Sequence, residues 1–458
     1  MPVKLNAVLD DRAISNQEKS FMQNLQANIL KGHGREHVAL LFFKVRDVPA
    51  ARAFLRGFPV TDAFTQQQQT KAFRKHRVPG DTVRLAFLSQ TGLERFGHGR
   101  KFARFAAFAG GMAADTGVLD GGNTNSWQSE LKRPIDVALL LADNDESVLA
   151  RGVTDTLAEC AEAYELLFVQ AGRAYRNGDG EGVEHFGYVD GRSQPLMIQS
   201  AIDAERDSRR GGLDDYDPSA PLSQFLLADP LKARGFGSFF VFRKLEQDVA
   251  GFKAREEALA NTLGLTGDDE ERAGAMVVGR FEDGTPLTLH AQEDGVPVVN
   301  NFDFSADADG SRCSFHGHIR KTNPRGSSPG GLAFDKSVQM ARRGITYGVR
   351  MQHPETREFI DLPNDGVGLL FMSYQASIEK QFQFMQTQWA NNPGFPTAGV
   401  GIDPVIGQLS GRGAAAPQTW LPAYGALTNP TRVRFSGFVA LKGGEYLFAP
   451  SINGLKAI

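Results

Sequence analysis

Of nine histidines in the chain, two fall in one compact cluster, Cys313-Ser314-Phe315-His316-Gly317-His318-Ile319-Arg320-Lys321-Thr322-Asn323-Pro324-Arg325. A thiol and two imidazoles within six residues could begin a zinc site, but no second group of Cys or His stands at a usual spacing to complete it. Two ordinary histidines in a basic loop fit the same residues. The cations that follow suit a third chemistry. A haem's two propionates need cationic partners close to where the axial ligand leaves the chain, and Arg320, Lys321 and Arg325 lie within seven positions of His318.

The run His318-x-Arg320-Lys321-Thr322-Asn323-Pro324-Arg325 resembles a signature of the dye-decolourising peroxidases. Phe186-Gly187-Tyr188-Val189-Asp190-Gly191 is similar to that family's Gly-x-x-Asp-Gly motif. Arg342-Arg343-Gly344-Ile345-Thr346-Tyr347-Gly348 and Gly368-Leu369-Leu370-Phe371 also match, and Gln26-Ala27-Asn28-Ile29-Leu30-Lys31-Gly32-His33-Gly34-Arg35 looks like the opening of the longer members. A lone Gly-x-x-Asp-Gly carries little weight; five matches in order, from residue 26 to residue 371, carry much. The resemblance implies one haem b per chain. It also implies hydrogen peroxide as oxidant, and one-electron oxidation of phenols, aromatic amines and dyes through a ferryl intermediate.

Residue by residue, the resemblance makes His318 the axial ligand and Asp403, in Gly401-Ile402-Asp403-Pro404-Val405-Ile406-Gly407, the carboxylate behind its ring. Asp190 is expected on the distal face as a buried acid-base group, with Arg342 beside it as the cation for the departing oxygen. Arg320 and Arg325 are expected on the propionates. Leu369 and Phe371, two apart on a strand and so on one face, would roof the pocket. Bulky dyes could not enter, so Tyr347 and Trp389 are expected as surface aromatics that relay electrons. His316 departs from the family pattern and keeps open which histidine meets the iron; His33 and His185 read as structural or haem-edge residues.

These residues need elements to hold them. The apolar run 37–45 reads as a buried strand followed, after Asp47, by a helix, and 237–245 followed by Asp248 repeats the pattern. A second pair, 83–90 and 367–375, suggests strand-helix units in each half. The expected fold is α+β: duplicated ferredoxin-like halves, residues 1–219 and 220–458, with antiparallel sheets covered by helices in the manner of a dimeric α/β barrel. That agrees with the fold the resemblance implies. Asp203–Ser219 reads as a surface loop or linker, Asn323–Gly331 as a loop, and the tail from Val433 as a hairpin turning at Gly443-Gly444, with a packing segment at the end.

Bulk composition narrows the partners. Fifty basic and 53 acidic residues are well mixed, giving a net charge of -3, so no footprint for nucleic acid or anionic lipid is visible. No apolar run approaches a membrane span, and the N-terminus lacks an apolar leader, which points to a cytoplasmic protein, with leader cleavage left open. Two cysteines, Cys160 and Cys313, make no disulfide framework. The 33 phenylalanines could line a flat apolar ligand site or fill a core. A homodimer is compatible with all of this. Two other readings stand beside the peroxidase: a haem carrier or sensor, which would not need Asp190 and Arg342, and a protein with zinc at Cys313, His316 and His318.

Overall fold

In the computed structural model the residues described are 3–119, 124–207, 212–295, 299–408 and 416–458. The apolar run at 37–45 forms strand β1 (His37–Val45), buried at seven of nine positions because the sheet is covered on both sides. Asp47 then caps helix α1 (Val48–Gly57) by accepting the Ala50 N–H at 2.8 Å. Strands β2 (Val83–Leu88) and β3 (Val137–Asp143), helix α2 (Glu146–Cys160) and strand β4 (Tyr164–Arg173) complete the first half.

The second half repeats this plan. Strand β5 (Phe236–Gln247) leads through Asp248, which accepts the Gly251 N–H at 2.9 Å, into helix α3 (Val249–Leu263). The short helix α4 (His318–Thr322), then strands β6 (Ile345–Tyr347), β7 (Gly368–Gln375) and β8 (Val439–Ala449), follow. The spatial order is β6-β7-β5-β8-β2-β3-β1-β4, with two short strands attached at its side. Each half is therefore antiparallel in the order second-third-first-fourth, the ferredoxin-like arrangement, and the duplication holds.

The halves join where Phe448 of β8 pairs with Leu88 of β2. At the free ends the Thr346 hydroxyl of β6 donates to the Arg173 carbonyl of β4, so the sheet curls towards a barrel. Gly172 permits this approach, because a Cβ there would lie 2.7 Å from Ile345 Cγ2. The interior is packed with rings: Phe42 stacks on Phe168 at 4.6 Å and Phe87 on Phe240 at 4.2 Å. Part of the phenylalanine content thus fills the barrel.

Alternation along β7 separates two environments. Leu370 and Met372 are fully buried in the barrel, whereas Leu369 and Phe371 face outward, beside Leu245 and Arg243 of β5.

Three expectations change. By position in its half, β7 corresponds to β3 and not to β2, so the second repeat pair joined two apolar strands of different rank. The tail is no hairpin: Gly443 and Gly444 form a bulge within the single strand β8, whose register against β5 shifts between Leu441 and Gly444. An added Cβ at Gly443, which has a φ of 130°, would meet Leu131 Cβ at 2.5 Å. Finally, 203–207 belong to a helix, Gln199–Asp207, that begins before the anticipated linker; residues 208–211 lie outside the described residues. Among the described residues, no helix is long and apolar enough to cross a membrane.

Candidate active site

Helix α4 has one and a half turns and begins at His318. Its imidazole Nδ1 lies 2.8 Å from Asp403 Oδ2. Asp403 is fully buried, and its other oxygen accepts the N–H groups of Val405 and Ile406 at 2.8 and 2.9 Å. Burial pushes this carboxyl up, but the adjacent His318 ring and the two amide donors outweigh burial and hold it below the ordinary value. With Nδ1 engaged, Nε2 is the ring nitrogen left for the cavity that His318 lines.

His316 is built differently. Its ring packs edge-on against Trp420 at 4.3 Å, its Nε2 has no hydrogen-bond partner, and burial lowers its pKa to about 3. It lines no part of the cavity. Among the described residues no three His, Cys, Asp or Glu groups are placed to hold a metal, which removes the zinc reading.

The cavity has a volume of about 530 Å³, within the range of roughly 300–1,000 Å³ usual for cofactor sites. Eight arginines line it against two carboxylates, Glu184 and Asp190, in a chain whose net charge is -3. Four of these guanidinium groups, on Arg280, Arg325, Arg342 and Arg343, make their hydrogen bonds to neutral acceptors. Arg325 donates to Asn300 O at 2.9 Å and Asn300 Oδ1 at 2.8 Å, and Arg280 donates to Gly284 O and Asn300 Oδ1, both at 2.8 Å. Arg343 donates to the carbonyls of Asn28, Ile29 and Arg342, and Arg342 Nη2 to the carbonyl of Arg192 at 2.9 Å. Burial lowers Arg325 and Arg343 to about 10, and burial together with Arg325, Arg192 and Arg342 holds Arg280 well below its ordinary range. Buried cations without counter-charges are costly, so this wall suits a ligand that brings its own negative charge. A haem with two carboxylates, an apolar ring and one open ligand position on iron fits the donors present.

Asp190, Arg342, Leu369, Phe371 and Arg325 all line this cavity with His318. Asp190 stands exposed at the cavity wall in a turn, where Oδ1 accepts the Gly191 N–H at 2.6 Å. No hydrogen bond joins Asp190 directly to Arg342 among the described residues. Arg342 is instead tied to the segment just after Asp190: Gln194 Oε1 accepts its N–H at 3.1 Å and the Arg192 carbonyl accepts its guanidinium.

Arg320 does not reach the cavity. It is completely buried, donates to Asp307 Oδ2 at 2.8 Å and Cys313 O at 2.6 Å, and lies over the rings of Phe304 and Phe315 at 4.5 and 4.3 Å. Asp307, itself fully buried, holds both of its terminal nitrogens. Tyr347 and Trp389 are not at the surface either, being 4% and 2% exposed. Tyr347 lines a second cavity with Lys244 Nζ 4.7 Å from its ring centroid, and Trp389 stacks on Phe395 at 5.2 Å. His33 lines the main cavity, and His185 is held by the Tyr347 carbonyl at 2.8 Å.

Sequence reasoning missed Arg280 and Glu184. Arg280 follows an apolar helix, Glu271–Val278, with no pattern to mark it. Glu184 precedes the Asp190 motif and accepts the N–H groups of Phe186 and Tyr188, which sets the turn; burial raises it to about 7.

The chain is thus a curled duplicate of ferredoxin-like sheets in which a carboxylate-backed histidine faces a cationic cavity. Residues 24–172 match the family described as the DyP dimeric alpha+beta barrel domain. The chain is 41% identical to the multifunctional dye peroxidase DyP2 of Amycolatopsis sp., over all of both chains, and 31% identical to a dye-decolorizing peroxidase of Exidia glandulosa, covering 94% of this chain and 86% of that one. Among solved structures, DyP2 of Amycolatopsis sp. superposes with a TM-score of 0.92 at 38% identity over all of both chains. The DyP-type peroxidase of Anabaena sp. gives 0.89 at 33% identity, covering 99% of this chain and 98% of that one. The chain belongs to the dye-decolourising peroxidase family, haem peroxidases that act on dyes and phenols with hydrogen peroxide.

Proposed function

We propose that this chain binds haem b with His318 Nε2 on the iron and uses Asp190 and Arg342 to process hydrogen peroxide while phenols, aromatic amines and dyes supply electrons. The observation that carries the assignment is the 2.8 Å contact of His318 Nδ1 with Asp403. It keeps the ring proton on Nδ1, leaves the Nε2 lone pair for a metal, and makes the imidazole a stronger donor. Bound haem would supply the reduction of peroxide and the subsequent one-electron oxidations.

The remaining work falls to side chains. Arg325 and Arg280 would hold the two carboxylates of the cofactor. No cysteine lines the cavity among the described residues, which favours the non-covalently held b type. Asp190 takes a proton from one peroxide oxygen and returns it to the other; its single strong partner, the Gly191 amide, leaves Oδ2 for this exchange. Arg342 stabilises the negative charge that develops on the departing oxygen, a contribution of about 3 kcal/mol for one well-placed donor. Leu369 and Phe371 restrict access to small oxidants.

Reconstitution with haem should produce a Soret band that changes on rapid mixing with peroxide. Asp190→Asn and Arg342→Leu should take up haem normally and react with peroxide about 100-fold more slowly or worse. Full turnover in both variants would leave haem carriage as the better reading.

A further inference from the structure

Lys321 is completely buried, yet it forms no ion pair among the described residues. It stands three residues after His318 on helix α4, a spacing that places both side chains on one face of the helix. Its ammonium donates to the carbonyls of Asn392 at 2.8 Å and Gly401 at 2.6 Å. Those carbonyls lie at the two sides of a loop neck. Gly401 N–H donates across the neck to Pro393 O at 3.0 Å, and Asp403 N–H donates to Ala390 O at 2.8 Å.

The loop between them, Asn392-Pro393-Gly394-Phe395-Pro396-Thr397-Ala398-Gly399-Val400-Gly401, has three glycines and no regular structure. Such a segment has high conformational freedom unless its ends are tied. Asp403, two residues beyond, caps its own turn through Val405 and Ile406, but that turn has few ties to helix α4. Among the described residues, hydrogen bonds from 318–322 to 390–407 come only from His318, to Asp403, and from Lys321. A buried lysine costs desolvation, and burial lowers this one to about 8 despite the attraction of Asp403. Its hydrogen bonds to the two carbonyls offset that cost.

We propose that Lys321 is a positioning residue for the axial ligand: by clamping Asn392 and Gly401 to the helix that carries His318, it sets the His318–Asp403 hydrogen bond. The inference rests on His318 as the axial ligand.

Wild type, Lys321→Met, Lys321→Arg, Asp403→Asn and the Lys321→Met/Asp403→Asn double variant should be compared. In the haem-loaded ferrous proteins, Lys321→Met is expected to lower the iron–histidine stretching frequency and raise the reduction potential, in the same direction as Asp403→Asn. Lys321→Arg, which keeps donors, should fall between Lys321→Met and wild type. In the double variant the lysine change should add nothing to either reading, since both act on one bond. In the proteins without haem, Lys321→Met should cut amide-exchange protection at Gly401 and Asp403 by about tenfold or more, while strand β5 is unaffected. If Lys321→Met leaves the stretch, the potential and the loop protection at wild-type values while merely lowering Tm, the proposal fails. If Asp403→Asn moves the stretch but Lys321→Met does not, only the clamp is wrong. If His318→Ala retains the wild-type stretch, the ligand assignment itself is wrong, and the clamp with it.

Discussion

Arg280 and Arg325 donate to the same oxygen, Asn300 Oδ1, each at 2.8 Å, so two buried guanidinium groups share one neutral acceptor on the cavity wall. The Ser193 hydroxyl accepts from both as well, at 3.2 and 2.6 Å. Like charges held this way repel, and a dianionic ligand would relieve them. Arg280→Leu and Arg325→Leu should each weaken haem binding by roughly 10- to 100-fold, the value of a charge-assisted hydrogen bond. Titrating the haem-free variants and following the Soret band measures this, and Arg320→Leu serves as the contrast. It should reduce folding stability through Asp307 far more than it alters haem affinity in the protein that does fold.

His316 and His318 should separate cleanly. His316→Phe keeps the aromatic volume against Trp420 and removes the unpartnered Nε2, so haem uptake and the axial-ligand spectrum should stay unchanged and Tm should not fall. His318→Ala should lose the histidine-ligated spectrum. The reverse pattern would transfer the ligand role to His316.

Glu445 gives a pH dependence of stability with a defined sign. Burial raises its pKa to about 7 from 4.5, against the pull of the Met112 and Tyr446 amides. The folded chain therefore binds this proton more tightly than the unfolded one; the stabilisation is fully present below about pH 4.5 and is lost as pH rises through about 7. Glutamine keeps the acceptor oxygen and does not titrate. Melting curves should show Glu445→Gln equal to wild type near pH 4.5 and more stable at pH 8. Glu184, raised to about 7 in the same way, leaves part of the slope in place.

Tyr347 can be tested as an electron relay without much risk to the fold. Its hydroxyl is buried and has no hydrogen-bond partner, so Tyr347→Phe should hold or raise stability, by up to about 1 kcal/mol. If electrons from bulky dyes pass through this ring, kcat/KM for such a dye should drop at least about tenfold, with the peroxide reaction untouched. Equal loss for dyes and small phenols would argue against a relay.

Local chemistry determined much of this protein from sequence alone. The apolar runs of β1 and β5, each followed by an aspartate that caps a helix, carry their own instructions, because burial and capping depend on near neighbours. The histidine motif and its distant partner Asp403 were likewise legible, through resemblance. The tertiary structure decided which charges serve the site. Arg320 and Arg325 stand five apart in one basic run; Asp307 and two phenylalanines hold the first, while Arg325, at a φ of 48°, turns into the cavity beside Arg280. Spacing cannot encode that, because the acceptors come from Asp307 and Asn300, elsewhere in the chain. Tyr347 and Trp389 differ from expectation for the same reason: a strand buried at all three of its positions holds the first and ring packing against Phe395 the second, and Gly443-Gly444 became a bulge because β5 continues to pair on both sides of it. Long-range partners choose the direction in which each side chain points, and that direction separates a site residue from a structural one.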